Sequence, residues 1–236
     1  MRSTGWRSWA VLVSTTVYDQ TMRVYLHGSG RSGRDAWPSA LVADAVFADV
    51  AAMDGNDVKI AELSRITPQG SSLFAHSAGA VPAVLAIDRK AVSVEALVLL
   101  EPALYDVARG VPAVEQHIDV ITHARALAGA GGLYGFWREV WPVMFGGPAE
   151  QETWGAEEAL AARFASVELP WGHAVTPDMI EGVRTLVITG GWNAEYEAIA
   201  AVLVTHGATH RQLVGNEHRP QDHPDFEAAV QRFLEG

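Results

Sequence analysis

Residues 71–87 read SSLFAHSAGAVPAVLAI, and the interpretation of the whole chain starts from this stretch. Its first six residues suit a buried strand, and the apolar run after Gly79 suits a buried helix. Between them, in Ala75-His76-Ser77-Ala78-Gly79, small residues stand two places before and two places after a serine. This spacing predicts a very tight turn with Ser77 at its tip, because large side chains at 75 and 79 would collide where strand and helix pass each other.

A serine at the tip of such a turn is held in a strained, exposed position, which is typical of a nucleophile. The pattern is the nucleophile elbow G-x-S-x-G, with Ala75 at the first glycine position. The helix after the turn directs its first free N–H groups, beginning at Ala78, toward whatever Ser77 attacks, and its dipole favours negative charge there. The alternative is a serine in an ordinary loop. Residues elsewhere in the chain must therefore decide whether Ser77 is a nucleophile.

Composition limits the class of protein. A chain of 236 residues with 49% hydrophobic content predicts one core, with an insertion rather than a second full domain. The net charge of −11 argues against nucleic-acid and anionic-membrane partners. The absence of cysteine excludes disulfides, a thiol nucleophile and thiolate metal ligands. The apolar run at 9–13 is too short for a signal peptide, so we expect a cytoplasmic protein.

Strands alternate with helices along most of the chain. This order predicts an α/β fold with a doubly wound, mostly parallel sheet, helices on both faces, and ligands bound at the carboxyl ends of the strands. The predicted strands are 8–14, 22–27, 58–63, 71–76, 95–101, 185–189 and 210–214, and the predicted helices are 35–52, 81–87, 195–206 and 225–234.

Residues 103–183 depart from this alternation and are rich in aromatic residues. We interpret them as a helical cap inserted into a core formed by residues 1–102 and 184–236. The aromatic rings either pack inside the cap or line an apolar substrate pocket. Trp137, Trp141 and His27 are our candidates for pocket residues.

A glycine-rich turn follows the strand at 22–27. Gly28-Ser29-Gly30-Arg31-Ser32-Gly33 matches the dinucleotide-binding pattern G-x-G-x-x-G, with Asp49 and Asp54 where a ribose-binding acid is sought. It also matches the turn that supplies an oxyanion donor in hydrolases, where the backbone N–H of Ser29 would be that donor. His27, directly before the first glycine, favours the second interpretation.

A general base for Ser77 is expected in the loop after the last strand. His218 ends Gly215-Asn216-Glu217-His218, from which it could reach back to the centre of the sheet. Asp222 and His223 follow closely, but a loop triplet alone is weak evidence for a metal, and we predict none. His76 is expected to point away from Ser77 and to serve in packing.

The carboxylate that should orient His218 is less evident. The loop after strand 185–189 has Asn193 where an aspartate is expected. Two glutamates are available instead. Glu101 ends a buried apolar run, where an unpaired carboxylate would be costly, and Glu195 lies one turn beyond the expected loop. We favour Glu101 and keep Glu195 as the alternative, with Asn193 or no third residue as the remaining choice.

Taken together, these motifs resemble the α/β-hydrolase superfamily over residues 22–235. The oxyanion turn His27-Gly28-Ser29-Gly30, the elbow at 75–79 and the base loop ending at His218 follow one another in the order of that family. The resemblance implies an α/β-hydrolase fold with a cap, and chemistry on a small-molecule substrate without a cofactor. The departures are Ala75 and the missing aspartate after strand 185–189.

These residues predict a serine hydrolase. Ser77 would attack an acyl carbonyl of an ester or thioester, His218 would take its proton, Glu101 would steady His218, and the N–H groups of Ser29 and Ala78 would hold the oxyanion. Relatives with the same residues also run perhydrolysis or C–C cleavage. The alternatives are a catalytically silent relative that binds a hydrophobic small molecule and, third, a dinucleotide-binding oxidoreductase. A homodimer is compatible with this chain.

Overall fold

The structure is a computed structural model, and it describes residues 21–40, 45–50, 53–130 and 132–236. Its strands form a six-stranded sheet in the order β2-β1-β3-β4-β5-β6, and all pairs are parallel. The strands are β1 (Arg23–Leu26), β2 (Ala45–Ala48), β3 (Ser71–His76), β4 (Val94–Leu100), β5 (Arg184–Thr189) and β6 (Thr209–Gln212).

The order of the strands reverses between β1 and β3, which are neighbours in the sheet. At such a switch point the loops leave toward opposite sides and open a crevice beyond the carboxyl ends of the strands. The loop after β1 begins at His27 and the turn after β3 begins at Ser77. The predicted doubly wound fold is therefore confirmed, and its topology places the predicted turn and elbow side by side.

Helices cover both faces of the sheet. The helices are α1 (Asn56–Ile66), α2 (Ala80–Asp88), α3 (Pro112–Gly129), α4 (Leu133–Phe145), α5 (Trp154–Ser166), α6 (Ala194–Thr205) and α7 (Phe226–Glu235). Side chains alternate along each strand, so Leu73 and Ala75 pack in one buried cluster, with α1, α2 and α6, whereas Phe74 packs in the other, with α7. Such two-sided burial explains why the strands are continuously apolar.

Two predicted elements are wrong. Residues 35–52 were expected to form one helix, but the chain forms a 3-10 turn at Gly33–Ala36 and then β2. Pairing of β2 along the whole length of β1 outweighs the helical preference of its alanines. The strand expected at 58–63 is part of α1, in which Ile60 and Leu63 are buried at helical spacing. The strand expected at 8–14 lies outside the described residues.

Three helices, α3 to α5, lie between β4 and β5, within the segment predicted to be a cap. They share a buried cluster of their own, formed by Ile121, Ala124, Phe136, Trp137, Val140 and Ala161. The division of the chain into core and cap stays a prediction. Among the described residues, no helix is both long and apolar enough to cross a bilayer.

Candidate active site

Ser77 lies in the sharp turn between β3 and α2. Its φ of +54° is in the left-handed region, which non-glycine residues seldom adopt. Gly79 is required here, because a Cβ atom at this position would lie 2.5 Å from the carbonyl oxygen of His27. Position 75 does not need a glycine, because the methyl group of Ala75, in β3, packs in a buried hydrophobic cluster. The serine is only 7% exposed, so it lies within a cavity and not at the open surface we expected.

The structure brings His218 to Ser77 and Glu101 to His218. The Oγ atom of Ser77 lies 3.0 Å from Nε2 of His218, and Oε2 of Glu101 lies 3.4 Å from Nδ1 of the same ring. Glu101 follows β4 directly and is fully buried. This geometry favours Glu101 over the other carboxylate that the sequence left open.

Glu101 is held by donors from the loop after β5. The backbone N–H of Gly190 donates to Oε1 at 2.5 Å, and Nε1–H of Trp192 donates to Oε2 at 3.0 Å. Gly190 cannot be replaced easily, since a Cβ there would overlap the backbone of Glu217, next to His218. The loop expected to carry the acid therefore carries donors that bind a carboxylate from the neighbouring strand.

Burial dominates the electrostatics of this pair. It raises the pKa of Glu101 to about 8, although the donors of Gly190 and Trp192 act in the opposite direction. Burial also lowers the pKa of His218 to about 4, and the positive charge of Arg219 acts in the same direction. Only the ionised form of Glu101 accepts Nδ1–H of His218 and so leaves Nε2 free to accept the serine proton.

His76 contributes more than the packing role that we predicted. Its Nε2–H donates to the backbone carbonyl of His218 at 2.8 Å, and the two rings lie 4.9 Å apart. Burial lowers the pKa of His76 well below its usual value, so the ring is neutral. It therefore ties the end of β3 to the loop that carries His218. The sequence feature that could have predicted this role is the position of His76 at the carboxyl end of a central strand.

The glycine turn after β1 lies directly against Ser77. A Cβ atom at Gly28 would lie 2.7 Å from Cβ and 3.3 Å from Oγ of the serine. Ser29 and Ala78 both line the cavity that contains Ser77. The structure does not support the dinucleotide interpretation, because Gly33 begins a 3-10 turn of four residues and the described residues between it and β2 contain no α-helix whose N-terminus could bind a pyrophosphate.

The cavity beside Ser77 has a volume of about 450 Å³. The insertion supplies most of its apolar wall, including Ile121, Phe136, Val140, Met144, Phe145 and Phe164. Trp137 and Trp141 do not line it, because Trp137 is fully buried in the cluster of the insertion and Trp141 packs against it. His27 lines not this cavity but an adjoining one of about 230 Å³, which shares Ser29 and Ala78 with it, and donates from Nδ1 to the carbonyl of Gly28.

The other two acid candidates have different partners. Oε1 of Glu195 lies 2.9 Å from Nδ1 of His117, a buried histidine of α3. The amide of Asn193 donates to the backbone of Val143. Neither residue has a hydrogen bond to His218 among the described residues.

Comparison with known proteins bears on the fold. No protein-family model matches the sequence, and no curated protein matches it. The solved structures similar to this chain include an alpha/beta hydrolase enzyme from a Medee basin deep-sea metagenome library, at 14% identity and a TM-score of 0.64 over 93% of this chain and 90% of that one. An alpha/beta hydrolase from Sphaerobacter thermophilus is 18% identical, with a TM-score of 0.60 over 91% and 92%.

A carboxylesterase of the thaumarchaeon Nitrososphaera gargenis is similar to the same extent. It shares 12% identity, with a TM-score of 0.60 over 92% of this chain and 90% of that one. Likeness at such low identity concerns the backbone alone. The parallel sheet, its strand order and these neighbours together show that the chain has the α/β-hydrolase fold.

Proposed function

We propose that the protein is a serine hydrolase that cleaves an ester, thioester or related acyl bond through an acyl-enzyme on Ser77. The observation that carries this proposal is the pair of contacts on one imidazole: Nε2 of His218 lies 3.0 Å from the serine oxygen, and Nδ1 faces Glu101 at 3.4 Å. This is the arrangement in which a histidine accepts a serine proton while a carboxylate holds its tautomer.

In the proposed reaction, Oγ of Ser77 forms a bond to the acyl carbon and its proton passes to Nε2 of His218. The backbone N–H groups of Ser29 and Ala78 stabilise the oxyanion. The bond to the leaving group then breaks, and His218 returns the proton to the departing oxygen or sulfur. Water, deprotonated by the same nitrogen, attacks the acyl carbon, and the serine is released with its proton restored.

The apolar wall of the cavity supports a small, apolar acyl group as the part of the substrate that binds there. In this proposal α3 to α5 act as a cap over the acyl group. A cytoplasmic location, chemistry without a cofactor, and the absence of nucleic-acid and membrane partners stay predictions from the sequence.

The test is the intact mass of the protein after incubation with a fluorophosphonate at pH 9. We expect a single adduct on the parent protein and none on Ser77→Ala. Ser93→Ala is the matched control, since Ser93 is exposed just before β4, at the edge opposite the site, and should label like the parent. A folded parent that stays unlabelled would contradict the proposal and favour the silent binding protein.

A further inference from the structure

The mostly apolar wall of the Ser77 cavity contains a half-buried cation, Arg125 of α3. His117 and Ile121 line the cavity from the same face of this helix, at intervals of four residues. With a rise of about 1.5 Å per residue, the backbone of Arg125 lies about 12 Å along α3 from that of His117. The charge of His117 lowers the pKa of His218, whereas Arg125 has no such effect. Arg125 therefore lies toward the end of the cavity that is remote from the candidate base.

The guanidinium of Arg125 is only partly hydrogen-bonded. Its Nη2 donates to the backbone carbonyl of Phe164 at 3.1 Å and to that of Val167, where α5 ends. Its Nε–H is shielded from solvent and has no hydrogen-bond partner. Nη1 has none among the described residues either. Only one of the three guanidinium nitrogens is thus paired with the protein.

No carboxylate in the described part of the chain balances this charge. Burial lowers the pKa of Arg125, and no neighbouring acid acts in the opposite direction. Arg219, another arginine of the cavity wall, differs in this respect, because its Nε and Nη2 both donate to Asp222. A guanidinium keeps its charge at any ordinary pH, and a charge withdrawn from water without a counterion is unfavourable. Contact with two helix-end carbonyls needs a donor but no charge, so it does not by itself explain a cation here.

We propose that Arg125 determines substrate specificity by binding a carboxylate at the far end of the acyl group. The inference rests on the proposed hydrolase function and narrows its substrates to monoesters or monothioesters of dicarboxylic acids. The hydrocarbon part of such an acyl group would lie along the apolar wall, and its free carboxylate would supply the missing counterion. Guanidinium and carboxylate groups match in charge and planar geometry, and their attraction is stronger where water is excluded.

The test compares two series of methyl esters in a pH-stat assay at pH 9, with acyl chains of about four to ten carbons. The far end of the acyl chain is a carboxylate in one series and a carboxamide, of nearly the same shape, in the other. At one or more chain lengths we expect the parent to prefer the carboxylate by at least ~10-fold in kcat/KM, since hydrogen bonds to charged groups are the stronger ones. The shortest chains should show no preference, because their carboxylate does not reach Arg125.

Two variants of Arg125 separate its charge from its contact with α5. Arg125→Met removes the charge, and the ratio between carboxylate and carboxamide esters should fall to within ~2-fold of one. Arg125→Lys keeps the charge and should retain a preference of at least ~3-fold. Loss of a purely structural contact would affect both esters alike and leave their ratio unchanged. Arg138→Met is the control, because Arg138 is exposed on α4 and does not line the cavity, and it should keep the parent ratio.

Three results would overturn the inference. They are a parent that prefers no carboxylate ester, an Arg125→Met variant that keeps the preference, and loss of the preference in Arg31→Met instead, since Arg31 is an exposed arginine of the same cavity. Fluorophosphonate labelling of the parent identifies which proposal has failed. An unlabelled parent contradicts the hydrolase function itself, whereas a labelled parent without the preference contradicts only the role of Arg125.

Discussion

The ionisation of Glu101 controls when His218 can act as a base. Only the ionised carboxylate accepts Nδ1–H and so leaves Nε2 free for the serine proton, yet burial raises the pKa of Glu101 to about 8. At lower pH the protonated carboxyl group donates to Nδ1, and the imidazole then carries its own proton on Nε2, where it cannot accept the serine proton. We therefore expect acylation of Ser77 to accelerate as the pH rises through about 8.

The size of the effect distinguishes this control from an ordinary histidine titration. With an apparent pKa of about 8, roughly 1% of the protein is competent at pH 6, so the rate should be ~100-fold below its alkaline plateau. An unperturbed histidine, with a pKa of about 6.5, would reduce the rate only ~4-fold at pH 6. If the lowered pKa of His218, about 4, controlled the reaction, the rate would scarcely change above pH 6.

The assay is the second-order rate constant of fluorophosphonate labelling between pH 5.5 and 10, for the parent and for Glu101→Gln. The amide donates to Nδ1 and imposes the wrong tautomer, so we expect a loss of ~10³- to 10⁴-fold and a flat profile. Glu95→Gln, at the opposite end of β4, is the control and should behave like the parent. A parent profile with an apparent pKa near 6.5, or a pH dependence retained in Glu101→Gln, would refute the reasoning.

Two further predictions concern the same carboxylate. Trp192→Phe removes the N–H that donates to Oε2 of Glu101 at 3.0 Å, so the apparent pKa of labelling should rise by about 1 unit, while Trp154→Phe in the insertion should leave it unchanged. The raised pKa also means that folded protein keeps a proton that unfolded protein loses above pH 4.5, so the contribution of Glu101 to the free energy of unfolding should fall by about 3–5 kcal/mol as the pH rises from 4.5 to about 8 and then level off, whereas the lowered pKa values of His218 and His76 make stability rise with pH below about 6.5 in parent and variant alike. Urea unfolding at pH 5 and pH 9 isolates this contribution: between the two pH values the free energy of unfolding of the parent should fall by about 3–5 kcal/mol relative to that of Glu101→Gln, and an equal change in both would contradict the prediction.

Much of the fold could be predicted from the sequence, because the deciding patterns are local. Apolar runs at 71–76, 95–101 and 185–189 were confirmed as strands, since a short and continuously apolar run is typical of a strand buried on both faces. The segments at 35–52 and 58–63 were predicted wrongly. Such alanine-rich or mixed segments are compatible with either a helix or a strand. Pairing with β1 makes part of the first segment a strand, and packing of Ile60 and Leu63 makes the second a helix.

Within the candidate site, local sequence patterns predicted the residues that stand at the ends of strands. Ser77 and His218 follow from short motifs, in which the spacing of small residues and the place after a strand are visible without a structure. Ser29 was predicted in the same way, and the contact between Gly28 and Ser77 brings its turn to the site.

The three-dimensional packing determines which carboxylate faces His218. Glu101 and Glu195 are both glutamates near the active edge of the sheet, but one is bound by Gly190 and Trp192 while the other binds His117. It also decided that Trp137 packs inside the insertion and that Tyr196 lines the cavity. These choices depend on contacts between residues tens of positions apart, and the packing of side chains from different elements, not any local pattern, determines them.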